Sequence, residues 1–242
     1  MLGRMRRLRC LAGLVLVLAV LTACTVPGTP PQPGAQTVPG QRVVKTDAAT
    51  RQFATVAQQV EPVARSVCRQ ARTRGSCDFV ILIDERAGQP VNAFQTVDRR
   101  GRPILVFTRA IVEEFRNTDE IAFVIGHEAA HHIEDHLTQR AQAAGVLGAI
   151  LEAAAAAGGA PSSGRVTAAE LGEAVGSRVF SKQFELEADA LGTVIAARAG
   201  YNPVRGAEFF NRLPDPGDQF LGSHPPNAER IQVVREVAAR LN

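Results

Sequence analysis

Two histidines four residues apart, His127 and His131, enclose Glu128 in the run His-Glu-Ala-Ala-His. On a helix, such positions lie ~40° apart around the axis and ~6 Å apart along it, so both imidazoles face one way. They can share one metal ion, and zinc takes imidazole nitrogen readily. Glu128 then stands beside the water that such an ion polarises, in the place of a general base. The chemistry of the set is metal-assisted hydrolysis.

The chain holds five histidines. His132 and His136 repeat the four-residue spacing, but on a continuous helix they lie ~100° to 180° from the first pair. They are expected on the solvent side or in an outer shell unless the helix breaks. His224 stands alone near the C-terminus.

A catalytic zinc takes three protein ligands and keeps one position open. A nearby glycine followed by a third histidine would be one solution, but Glu134 and Leu137 occupy those places. A carboxylate from a later helix remains, and Phe184-Glu185-Leu186-Glu187-Ala188-Asp189 offers it. Glu185 and Asp189 share a helical face, whereas Glu187 lies ~160° from Glu185. One of the pair can hold the metal while the other accepts a proton from a ligand imidazole. Spacing alone leaves open which does which.

The elements that must position these groups are legible in outline. A helix is expected from Asp47 to about Thr73, with Pro62 as a kink or boundary. Phe79–Ile83, Val91–Val97 and Ile104–Thr108 are strand candidates, the last two around a turn-like Asp98-Arg99-Arg100-Gly101. Asn117, with Glu120 three residues on, opens the helix of the metal motif as a capping box. The Ala- and Gly-rich residues 141–160 are expected to form a mobile or membrane-proximal segment. A long helix from Val166 to Ala199 should end at Gly200, with shorter helices after Pro203 and Pro225. The fold class is α+β, mainly helical, with a small sheet.

The N-terminus is a separate matter. Met1–Arg9 carries four arginines and no acid, and an apolar run follows from Leu11 to Leu21. This is the layout of an export signal, too short to span a bilayer well. Leu21-Thr22-Ala23-Cys24 closely resembles the bacterial lipoprotein signal, which implies cleavage after residue 23 and lipid on Cys24. Several acyl chains anchor stably where one would be marginal. Thr25, in the place of an aspartate retention signal, favours the periplasmic face of the outer membrane. Residues 24–44 are expected to be the lipidated cysteine and a Pro/Gly-rich tether, and 45–242 the catalytic domain.

Removing the signal changes the charge. The chain has 27 basic and 24 acidic residues, and loss of four arginines turns the formal +3 into about −1. Nothing in that balance calls for nucleic acid. Of four cysteines, Cys68 and Cys77 remain for the mature domain. In an oxidising compartment they are expected to pair across a short Gly-containing loop.

His127-Glu128-x-x-His131, Glu185-x-x-x-Asp189, Ala199-Gly200-Tyr201-Asn202-Pro203 and Ser223-His224-Pro225-Pro226 together resemble the HtpX and CaaX-prenyl-protease group of zinc metallopeptidases. The similarity runs from about residue 45 to the end and is nearest to the soluble periplasmic lipoprotein branch, the BepA/LoiP type. It implies a gluzincin-type zincin domain with one catalytic zinc, Glu185 as third ligand and Asp189 behind a ligand histidine. It also implies that Asn92, Ala93 and Phe94 belong to an edge strand that pairs with substrate backbone. His224 would be a catalytic-site residue, as a resting-state fourth zinc ligand or an oxyanion donor, with a structural loop histidine as the alternative. Arg230 would contact a carboxylate or substrate, or else stand as an exposed helical arginine. The spanning helices of HtpX and the helical repeats of BepA have no counterpart, so neither an integral-membrane protease nor a repeat-borne chaperone module is expected.

The expected function is zinc-dependent cleavage of internal peptide bonds in unfolded or misfolded envelope proteins, with outer-membrane assembly machinery as a possible partner. The rival is a lipoprotein chaperone or assembly factor acting by binding, against which an intact Glu128 argues.

Overall fold

Five residues on one face of the first helix, Phe53, Val56, Val60, Ala64 and Val67, are buried, and their spacing explains why that helix forms where it does. It is α1, Ala48–Gln70, capped by the Asp47 side chain accepting from Thr50 N–H. The computed structural model describes residues 47–71, 75–179, 181–214 and 225–241. The expected export signal and tether, with Cys24 and His224, lie outside those residues. Lys45–Asn242 make one compact unit.

Pro62 does not bound α1, which runs on through it. Tertiary burial of Val60 and Ala64 on either side outweighs the one hydrogen bond proline cannot donate. Beyond α1 come strands β1 (Val80–Asp84), β2 (Ala93–Val97) and β3 (Pro103–Thr108). Their order in space is β1-β3-β2, with β1 parallel and β2 antiparallel to β3. The β2–β3 hairpin closes on Asp98, whose carboxylate accepts from the N–H groups of Arg100 and Arg102. Gly101 takes the positive φ of 75° that this turn requires.

Asn117 caps α3 (Thr118–Ile133) by accepting from Asp119 and Glu120 N–H. Glu120 does not reach back to Asn117 N–H as a capping box would. Its carboxylate accepts from Arg116 N–H and pairs with Arg212 at 2.7 Å. α3 is buried on nearly every side, from Asp119 through Ala130. It is the central helix, with α2 (Arg109–Glu114) leading into it from β3.

Residues 141–160 are helical for most of their length. They form most of α4 (His136–Ala157), which pairs with α5 (Ser162–Val179). Small residues permit that pairing: a Cβ on Gly172 would lie 2.5 Å from the Leu147 carbonyl oxygen. The helix expected from Val166 to Ala199 is seen as α5 and α6 (Ser181–Arg198), with residue 180 between them outside the described residues; α5 packs along α4 and α6 on α3. No helix among the described residues is long and apolar enough to cross a membrane.

Gly200 ends α6 at φ 88°. Asn202 then caps the short α7 (Pro203–Gly206), and its N–H donates to Asp119 of α3 at 2.9 Å. A 3-10 turn, Ala207–Arg212, precedes α8 (Asn227–Leu241).

Candidate metal centre and active site

The close crossing of α3 and α6 builds the site. Gly126 and Gly192 meet there, and a Cβ on Gly192 would lie 2.8 Å from the backbone N of His127. Only with hydrogen in both places do the backbones approach enough for α6 carboxylates to reach α3 histidines.

The Nε2 atoms of His127 and His131 lie 3.0 Å apart. Glu185 places Oε2 3.4 Å from Nε2 of His127 and Oε1 3.4 Å from Nε2 of His131. Zinc bonds of ~2.0–2.1 Å at tetrahedral angles put neighbouring ligand atoms about 3.3 Å apart, so the triangle fits that ion. Among the described residues this is the one three-residue set of metal-binding side chains brought together.

Asp189 is fully buried behind His127, with Oδ1 2.9 Å from Nδ1. Accepting the Nδ1 proton leaves the Nε2 lone pair free for a metal. Arg230 of α8 grips the same carboxylate through Nε at 2.7 Å and Nη2 at 2.8 Å. Its guanidinium lies 3.8 Å from the centroid of the Phe210 ring. The exposed-arginine alternative for Arg230 is therefore wrong: it is buried, and it contacts a carboxylate.

Burial opposes a charge on His127, but the hydrogen bonds of Asp189 and Glu185 outweigh it and push the imidazole up to about 10. Burial also raises Glu128 above the ordinary carboxylate range, against the pull of His127 and His131. A carboxylate so placed holds a proton more readily than a solvated one, as a general base must.

Of His132 and His136, expected on the solvent side or in an outer shell, His136 stands directly behind a ligand histidine. α3 stops at Glu134, Asp135 adopts a left-handed φ of 56°, and α4 starts at His136. This break returns His136 to the site, where burial and the charge of His131 pull it down to about 4 despite Glu187. His132 points elsewhere, with Nε2 2.7 Å from the Ser76 carbonyl oxygen in the loop closed by the Cys68–Cys77 disulfide. Sequence reasoning left Glu187 without a role, although it reaches His136 from the far side of α6. Its ~160° offset from Glu185 was the misleading signal, because His136 approaches from a different helix.

A cleft of about 490 Å³ opens over these groups, with Glu128, His131 and Glu185 on its floor and Asn92, Ala93 and Phe94 on its wall. The Thr108 N–H donates to the Asn92 carbonyl, which sets the alternation of the hairpin. Ala93, Gln95 and Val97 must then turn their backbone N–H and C=O groups away from β3, along an edge with no strand partner among the described residues. A groove continues past Gln95 and Val97 toward Leu137 and Thr138.

A helix carrying His-Glu-x-x-His, a carboxylate from a second helix and a cleft with an open strand edge are the parts that a metallopeptidase with a glutamate ligand uses. Residues 50–238 match the model of peptidase family M48, and the chain belongs to that family. It is 33% identical over 123 residues to the metalloprotease LoiP of Escherichia coli strain K12, which is 49% of each chain. It is also 28% identical over 137 residues to the mitochondrial metalloendopeptidase OMA1 of Arabidopsis thaliana, 55% of this chain and 27% of that one. The matched stretches thus span about half of LoiP and about a quarter of OMA1.

Proposed function

We propose that the chain is a zinc metalloendopeptidase acting on unfolded or misfolded proteins of the bacterial envelope. The observation that carries this reading is the convergence of His127, His131 and Glu185 beneath the open edge of β2, with Glu128 in the same cleft. Zinc held by those three side chains would polarise the scissile carbonyl and the attacking water. Glu128 removes the proton of that water and delivers it to the departing amine nitrogen. Asp189 holds the His127 ring in one tautomer, and Arg230 balances the buried charge of Asp189. The β2 edge takes extended backbone as an added strand, so it selects internal, unstructured segments over chain ends. The edge alternation and the apolar Phe94 beside it support that choice.

The finer placement rests on the N-terminal signal. Lipid on Cys24 and a tether to residue 44 would hold the domain at the periplasmic face of the outer membrane, near stalled outer-membrane proteins and their assembly machinery. A protease there serves quality control.

Digestion of casein by the purified domain tests the reading, beside Glu128→Gln and a chelator-treated sample. Cleavage by the zinc-loaded native protein, lost in both controls, is the expected result. If Glu128→Gln cleaves as fast as the parent, the proposed mechanism is wrong.

A further inference from the structure

His136 is 2% exposed, and its ring stacks on Phe184 with centroids 4.4 Å apart and 15° between planes. Its Nδ1 lies 2.9 Å from Nδ1 of His131, and its Nε2 lies 3.1 Å from Oε2 of Glu187. The other oxygen of Glu187 accepts from Gln183 Nε2 at 2.7 Å. Three side chains from three helices thus stand in a line that ends at a metal-facing imidazole.

Proton placement along the line has one consistent solution. Nε2 of His131 faces His127 and Glu185, so a metal there takes its lone pair and leaves the proton on Nδ1. That N–H can only donate to His136, whose Nδ1 must therefore carry a lone pair. Neutral His136 then holds its proton on Nε2 and donates it to Glu187. Reversing the first bond would move the His131 proton to Nε2, where the metal binds, and reversing the second would set two N–H groups against each other at Nδ1.

The geometry assigns His136 and Glu187 as positioning residues that fix the ring plane and tautomer of His131, the counterpart of Asp189 behind His127. This assignment rests on the zinc-peptidase reading. The two ligands are thus backed differently. His127 leans on a buried carboxylate neutralised by Arg230, whereas His131 leans on a neutral imidazole, with the balancing carboxylate 41% exposed. A neutral acceptor orients the second ligand without adding another buried negative charge beside Glu185 and Glu128.

The test is zinc affinity by chelator competition, with the visible spectrum of the cobalt-substituted protein as a second readout. His136→Leu is expected to weaken zinc binding about 10- to 100-fold, the usual cost of losing an outer-shell partner. Glu187→Ala, at a half-exposed position, should fold normally and lose about tenfold. Because Glu187 acts through His136, the double variant should lose no more than His136→Leu alone. His136→Asn, whose amide oxygen can stand in for Nδ1, should recover most of the affinity. A merely structural role would instead lower folding stability in all variants and leave zinc affinity and the cobalt spectrum unchanged. Unchanged affinity in Glu187→Ala and His136→Leu, or additive losses, would overturn the relay while a zinc-binding, casein-cleaving parent left the proposed function standing. A parent that binds no zinc would overturn both.

Discussion

One carboxylate serves two partners: Oδ1 of Asp189 lies 2.9 Å from Nδ1 of His127 and 2.8 Å from Nη2 of Arg230. The contact ties α3, α6 and α8 together at the back of the metal site. Fully buried charges are tolerated only when paired and hydrogen-bonded, and here each has the other.

Breaking that pair should therefore cost both stability and metal. Asp189→Ala leaves buried Arg230 with only its 3.3 Å contact to Glu185 to offset its charge, with an expected loss of about 3–5 kcal/mol in urea unfolding. Zinc affinity should fall about 10- to 100-fold as His127 loses its acceptor. Adding Arg230→Met should restore part of the stability and none of the affinity. Recovery of both by the double variant would show that Asp189 matters only as a partner for the arginine.

The crossing of α3 and α6 makes Gly192 a position where one methyl group reaches the chemistry. Gly192→Ala places a Cβ against the backbone of His127, and only movement of a helix can relieve it. A loss of about 1–3 kcal/mol is expected, as for other overpacked contacts. Weaker zinc binding should accompany it, since Glu185 moves with α6. Gly145→Ala, where nothing lies within 4 Å, is the matched control.

The outward amide of Gln95 offers a way to separate substrate binding from metal binding. Proline is tolerated on a strand edge whose N–H faces away from the sheet. Gln95→Pro should keep the fold and zinc affinity and lower kcat/KM on casein by at least about tenfold, the loss of one backbone hydrogen bond with its neighbours. Casein cleavage at the parent rate would mean that substrate does not add to β2.

The Cys68–Cys77 bridge closes a short loop, and its Ser76 carbonyl lies within hydrogen-bonding distance of His132 on the site helix. In the chain-entropy model a loop of this size contributes about 2–3 kcal/mol. Cys68→Ser with Cys77→Ser should lower urea stability by that amount and leave zinc affinity within about twofold, because His132 points away from the ligands.

Much of the site was legible because its first parts are local. Four-residue spacing on one helix is enough to aim His127 and His131 together, whatever surrounds that helix. Asn117 capped α3, and the three strands fell where β-branched runs sat between turn residues, because caps and turns are settled within a few positions.

Other parts were decided in three dimensions. Spacing could not tell Glu185 from Asp189, since both lie on one face of α6. The depth at which α3 crosses α6 gave Glu185 the inner place and Asp189 the buried one. A helical angle put His136 off the site, and the left-handed Asp135 cancelled that angle. Glu187 acquired a partner only because α4 returns past the end of α3. The sequence by itself determined which side chains could bind a metal and move a proton, because those properties belong to residue type and one turn of helix. The tertiary structure alone decided their division of labour, because that depends on distances between helices that no local period records.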